Sequence, residues 1–397
     1  MKWIPGGVTA PRAFVASGVS AGIKRSRKPD LALVLSEQPA AAAGIFTRNL
    51  VQAAPVALTR AHLAAGRAQA ILINSGCANC MTGAEGARDA ARLGRRTAAL
   101  LGFSDRLILH ASTGLIGRRL PVEKIEQGLP RLVQRLSRHR HDVAAHAILT
   151  TDLRPKEAAV EMPIGGKVLR VGGMAKGAGM IAPSMATMLC FLTTDAEVAA
   201  GPLRRMLQAS AEQTFNRISI DGDMSTNDCV LALANGASGV AARGAAAAAL
   251  GQMIRAVMER LARMIVEDGE GAAKVMELEV AGARTGVEAL SCARMIACSP
   301  LVKTMLAGSD PNVGRIAAAA GASGARFHPE RLEIAIEGIR MVGRGTALPV
   351  PASTLRRLLS RPRVRIRVDL HAGPAIERML TCDLTEEYVR INAGYAT

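Results

Sequence analysis

The spacing of apolar residues along this chain switches repeatedly between period two and a helical period. The chain therefore has to fold as an interleaving of strands and helices. VRIRVDL at 364–370 alternates strictly and predicts a strand with one wet face carrying Arg365 and Arg367. Leu250, Ile254, Val257, Leu261 and Ile265 fall on one face of a helix over about 243–266. Short apolar runs at 31–35 and 53–58, set among glycine, proline and basic turns, predict strands within residues 1–60. AILINSG at 70–76 reads as a buried strand ending in glycine. Gly165-Gly166 between two apolar segments predicts a hairpin over 157–174. Pro121 opens a helical stretch through 148 with Ile125, Leu129, Leu132 and Leu136 at helical spacing, and Pro130 predicts a kink or break inside it. Further helices are expected from Gly201-Pro202 and over Glu288–Ser299, a strand over 273–283, and alternating helices and strands through 315–397. The order is mixed α/β rather than strict βαβ, with no internal repeat.

Hydrophobic residues make up 49% of the chain and aromatics only 2%, so the core must be built from Ala, Val, Leu, Ile and Met. The net charge of +17 raises anion or nucleic-acid binding as a possibility. The basic residues are scattered, carry no interleaved aromatics and match no nucleic-acid motif, which favours a solvated basic surface that also attracts acidic amino acids. A non-catalytic nucleic-acid-binding protein stays open as an alternative, and no nucleic-acid partner is the expectation. Seven cysteines without regular spacing point to a reducing compartment. Cys77 and Cys80 have half of a zinc spacing, with no second half nearby, so no metal is expected. No secretory signal opens the chain and no run approaches about 20 apolar residues, so a cytoplasmic protein without a membrane partner is expected.

Residues Lys176 to Leu189 read KGAGMIAPSMATML. A threonine hydroxyl is a weak nucleophile that improves beside a base, and the nearest base available to Thr187 is its own α-amino group. That amine exists only if the chain is cut between Ala186 and Thr187. Small Ala186 leaves its carbonyl accessible, and Gly177 and Gly179 allow a tight turn. The same residues also suit a plain glycine-rich turn leading into a buried strand. Ser112-Thr113-Gly114 could stabilise an oxyanion with a hydroxyl and a glycine N–H, or form an ordinary turn after LILHA. FNRISIDGDMSTND at 215–228 holds Asp221, Asp223 and Asp228 without the calcium-loop spacing, and reads as a hydrogen-bonding scaffold near an active site.

These segments stand among eight that occur in order: GGVTAPRAF, ILINSGCAN, ASTGLIG, TTDLRPK, FNRISIDGDMSTND, EDGEGAAK, LVKTMLAGSDPNVGR and YVRINAGYAT. With KGAGMIAPSMATML, the set closely resembles the ornithine acetyltransferase (ArgJ-type) family from residue 6 to residue 397. The resemblance implies a layered α/β fold of the self-processing DmpA/ArgJ-like type. A main catalytic domain would span 1–285 and a smaller C-terminal α/β subdomain 286–397. It implies self-cleavage into an α chain 1–186 and a β chain 187–397, assembling as α2β2. The implied activity is glutamate N-acetyltransferase, moving acetyl from N-acetylornithine to glutamate through an acetyl-Thr187 intermediate in cyclic arginine biosynthesis. No cofactor is implied, and acetyl-CoA is a possible second donor. Thr187 would be the nucleophile and Thr113 and Gly114 the oxyanion pair. Thr151 (or Thr150), Lys176, Thr187, Glu270, Asn392 and Thr397 would bind substrate. Lys176 is the candidate cation for the substrate α-carboxylate and Glu270 the candidate carboxylate for the ornithine δ-ammonium. A self-processing aminopeptidase or amidohydrolase of the same fold is the alternative within the resemblance. The chain departs from the family pattern at Cys77-Ala-Asn-Cys80-Met81 and at Val313, positions that bear on packing and substrate shape rather than on the nucleophile or the oxyanion pair.

Overall fold

The computed structural model describes residues 1–182 and 188–394; Ala186, Thr187 and Thr397 lie outside them. Among the described residues a nine-stranded sheet and a seven-stranded sheet carry the architecture. The strands, in chain order, begin with β1 (Lys2–Ile4), β2 (Phe14–Val19), β3 (Leu31–Phe46), β4 (Arg67–Cys77) and β5 (Ile108–Leu115). They continue with β6 (Lys156–Ile164), β7 (Lys167–Lys176) and β8 (Leu189–Thr194). The short β9 (Ile218–Ser219) leaves for the second sheet, and β10 (Cys229–Ala234) returns to the first. The large sheet runs β1-β6-β7-β8-β10-β3-β4-β5, with β2 also paired to β3.

Its centre is apolar on both sides, as a strand covered on two faces has to be. On β8, Cys190 and Leu192 enter one core and Leu189 and Phe191 the opposite one. β10 divides the same way, Val230 and Ala232 against Leu231 and Leu233. One face is covered by α5 (Ala200–Gln213) and α6 (Ala245–Glu267), reached after α1 (Ala54–His62), α2 (Gly83–Leu101), α3 (Val122–Gln134) and α4 (His141–Ala147). α6 buries Leu250, Ile254, Val257, Leu261 and Ile265, the stripe its sequence predicts. The β6–β7 hairpin turns on Gly165 and Gly166, at φ +56° and +77°, a two-residue loop that needs two left-handed residues.

Two local expectations change. The run 53–58 is not a strand. It opens α1, with Pro55 in the first turn and Pro55, Val56 and Thr59 buried. Proline fits a first helical turn, and a six-residue apolar run cannot by its period distinguish strand from helix. The stretch 121–148 is two helices, and the first continues through Pro130 to Gln134 before the chain turns.

The second sheet comprises β9 and β11 (Val275–Ala283), β12 (Glu333–Ile336), β13 (Ile339–Gly343), β14 (Thr346–Ala347), β15 (Arg363–Asp369) and β16 (Ala375–Cys382). Helices α7 (Gly286–Cys298), α8 (Pro300–Gly308), α9 (Gly314–Gly321) and α10 (Ala352–Leu359) enclose its separate core, and α11 (Glu386–Ala393) follows. On β15, Val364, Ile366 and Val368 face in and Arg363, Arg365 and Arg367 face out. Those arginines meet Glu267, Glu337 and Glu279, so this part of the positive charge is a solvated ladder of ion pairs. No single helix among the described residues is long and apolar enough to cross a membrane.

Candidate active site

The site is built from the ends of β4, β5 and β7 and the starts of β8 and β10. β4 and β5 run parallel, with Ser75 opposite Thr113 and Gly76 opposite Gly114. A Cβ on Gly114 would lie 2.4 Å from the Gly76 carbonyl carbon, and Gly114 has φ +125°. Only glycine fits there, so the ends of β4 and β5 pack backbone against backbone beside Thr113. The strand ends are clamped by two asparagines. Asn74 Oδ1 accepts from the Ser112 hydroxyl at 2.6 Å. The Asn227 amide donates to the carbonyls of Ala78 at 2.7 Å and Ser112 at 2.8 Å.

Lys176 ends β7, is 3% exposed, and its Nζ donates to Thr113 Oγ1 at 3.4 Å. Thus two of the predicted residues, from blocks 63 positions apart, meet. Lys176 also lies 3.9 Å from Asp152, which takes a 2.7 Å bond from Lys156. Lys156 is fully buried and bridges on to Asp268 at 2.6 Å. Burial acts to raise the Asp152 carboxyl, but Lys176 and Lys156 outweigh it and hold it well below the usual carboxylate range. Burial lowers the Lys176 ammonium, against the opposing pull of Asp152. Asp152 also accepts the Thr150 N–H at 3.0 Å and the Gly177 N–H at 2.7 Å. It therefore fixes both the TTD segment and the start of the turn that leads toward Thr187. Thr150 lines an adjoining cavity, and Thr151 is its half-buried neighbour.

That turn is held at each step. Glu270 N–H donates to the Ala178 carbonyl at 2.7 Å. Asp221 accepts the N–H groups of Met180 and Ile181, and the Ile181 carbonyl accepts from Ile220 and Gly222. Asp221 thus spends its oxygens on backbone and on the Tyr388 hydroxyl at 3.2 Å. Glu270 packs directly onto Gly179, where a Cβ would lie 2.3 Å from Glu270 Oε2 and would push the carboxylate aside. The same Glu270 oxygen accepts from the Asn392 amide at 2.8 Å. Two further predicted residues are therefore joined, over the glycine turn, with α11 bringing Asn392 in.

On the other side of Thr187 in sequence, buried Met188 donates its N–H to the Asp228 carboxyl and accepts from Cys229 N–H at 3.3 Å. Leu189 then pairs with both Lys176 and Cys229. Burial pushes the Asp228 carboxyl well above its usual value, with Lys176 pulling the other way. Asp152, Lys156, Asn74 and Asn227 escape the sequence reading. Each lies within or beside one of the eight blocks, yet their partners lie up to 149 positions away.

The profile of the ArgJ family matches residues 15–397. The arginine biosynthesis bifunctional protein ArgJ of Symbiobacterium thermophilum is 45% identical over 402 residues, covering 100% of both chains. Its counterpart from Thermosynechococcus vestitus is 46% identical, covering 99% of both. A solved chain, the ornithine acetyltransferase of Mycobacterium tuberculosis complexed with ornithine, is 45% identical over 46% of this chain and 98% of its own, with a TM-score of 0.44. The fold and site define a layered α/β protein with a polar cluster poised around a glycine turn. The chain belongs to the ArgJ family.

Proposed function

We propose that this protein is a glutamate N-acetyltransferase of arginine biosynthesis that moves acetyl from N-acetylornithine to glutamate through an ester on Thr187. The observation that carries the reading is the meeting of Thr113 and Lys176 at the start of a turn that is closed over by Glu270 and Asn392. Full-length relatives named as bifunctional ArgJ proteins support it, and acetyl-CoA is the proposed second donor.

In the first stage the Thr187 hydroxyl attacks the Ala186 carbonyl, and the peptide nitrogen leaves as the acyl group shifts to oxygen. That shift frees the Thr187 amine, and water then opens the ester, releasing the Ala186 carboxylate and restoring the Thr187 hydroxyl. In the second stage that amine takes the hydroxyl proton as Oγ attacks the acetyl carbonyl, and ornithine departs with its α-amine restored. Glutamate's amine then attacks the acetyl ester and regenerates Thr187. Each tetrahedral oxyanion is assigned to Thr113 and Gly114. Lys176, Thr151 or Thr150, Glu270, Asn392 and Thr397 are assigned to substrate. The products of cleavage, 1–186 and 187–397, are proposed to assemble as α2β2.

Thr113→Ala is expected to lower kcat by about 10²–10³ with little change in thermal stability, as loss of one oxyanion donor does elsewhere. An unchanged kcat removes that role. Glu270→Ala is expected to raise the KM for acetylornithine about tenfold or more, because a charged hydrogen bond contributes about 1.5–3 kcal/mol. A wild-type KM places the ammonium elsewhere. The test of the reaction itself is a coupled assay of purified protein with acetylornithine, with and without glutamate. Acetylglutamate formation supports transfer; acetate release that ignores glutamate favours hydrolysis.

A further inference from the structure

The two amino acids exchanged in the proposed reaction carry opposite charges at their far ends, an ammonium on ornithine and a carboxylate on glutamate. Glu270 suits the first and repels the second, so a single distal pocket cannot serve both. The acceptor needs a cation that the described cluster has not already neutralised. Lys156 does not qualify, being held between Asp152 and Asp268, and Lys176 is already assigned to the α-carboxylate.

Lys24 does qualify. Its Nζ donates to the Pro29 carbonyl at 2.8 Å and forms no ion pair with any described carboxylate. It lies on a built loop: buried Asp30 accepts the N–H groups of Ala21, Ile23 and Lys24 at 2.6, 2.7 and 3.0 Å. Its stem crosses Gly76, where a Cβ would come within 3.0 Å of Lys24 Cγ. Gly76 in turn lies against Gly114, so this cation is set one strand behind the proposed oxyanion pair. Together Lys24, Arg25, Lys28, Gly76, Thr150 and Asp152 line part of a cavity of about 720 Å³. Burial lowers the Lys24 ammonium to about 8, against the pull of Asp30 and Asp152, neither of which contacts it. A half-buried cation that no carboxylate touches is stabilised by an anionic ligand.

We infer that this cavity is the acceptor's side-chain subsite, with Lys24 receiving the distal carboxylate of the incoming amino acid and Arg25 and Lys28 adding positive field at its mouth. The inference rests on the transferase reading above.

The test is steady-state kinetics of the purified mature enzyme, comparing Lys24→Gln and Lys24→Arg with the wild type. Lys24→Gln is expected to raise the KM for glutamate at least about tenfold while kcat/KM for acetylornithine changes less than about threefold. Lys24→Arg, keeping the charge, is expected to recover most of the loss. An unchanged glutamate KM overturns the assignment, and so does an equal loss for both substrates, which is the mark of a structural role. A rise confined to the KM for acetyl-CoA also overturns it, giving the cations to donor phosphates instead. A wild type that transfers to no amino acid overturns the transferase reading itself.

Discussion

Thr187→Ala is expected to leave one uncut chain of 41.5 kDa and to lower acetyl transfer by more than about 10⁴-fold. One atom, the Thr187 hydroxyl oxygen, is assigned to both events, so a single substitution should abolish both. The frame for this expectation is firm on either side of it. Asp152, Glu270 and Asp221 hold the turn from Gly177 to Ile181, and Asp228 and β10 hold Met188 and Leu189. The variant is expected to keep a cooperative melting transition, which separates lost chemistry from lost folding. Thr187→Ser, retaining a hydroxyl, is expected to cut slowly. Normal cutting in Thr187→Ala, read on a denaturing gel, contradicts the assignment.

The second large effect is on stability. Lys156→Met is expected to cost about 3–5 kcal/mol, because it strands Asp152 and Asp268 as buried charges without their shared cation. The methionine fills most of the lysine stem's space, so the loss reports charge rather than a cavity. Asp152 fastens Thr150, Gly177 and Lys176 to one carboxylate, so activity should fall as well. The pH dependence follows from the direction of the Asp152 shift. A carboxyl held low in the folded protein contributes stability that is fully present above its unfolded value, near about 4, and lost as pH falls toward the folded value. Wild-type protein should lose this contribution below about pH 4, and Lys156→Met should show a lower plateau at neutral pH with a shallower acid-side fall. Urea titrations at pH 7 and pH 3.5 measure both; a neutral-pH loss under about 1 kcal/mol contradicts the buried triad.

What the sequence makes legible here is what depends on neighbours in the chain. The α6 stripe, the wet and dry faces of β15 and the Gly165-Gly166 turn follow from local period and glycine chemistry. The apolar run at 53–58 misleads because it is too short to display a period, and its proline sits as comfortably in a first helical turn as in a loop. Thr113, Lys176, Glu270 and Asn392 are named through their family blocks, and the structure brings them together in pairs. Lys156 and Lys24 are not found. In RPKE and KRSRK they look like ordinary solvated charges, and only the fold shows one fully buried between two aspartates and the other laid over Gly76. Burial of a lysine is decided by strands that arrive from far along the chain, which no local pattern records.

The most direct measurement is the intact mass of the purified wild-type protein under denaturing conditions. Two species meeting at Ala186 and Thr187, residues 1–186 and 187–397, are the predicted result. A single full-length mass, stable on prolonged incubation, contradicts the threonine acyl-transfer account at its root.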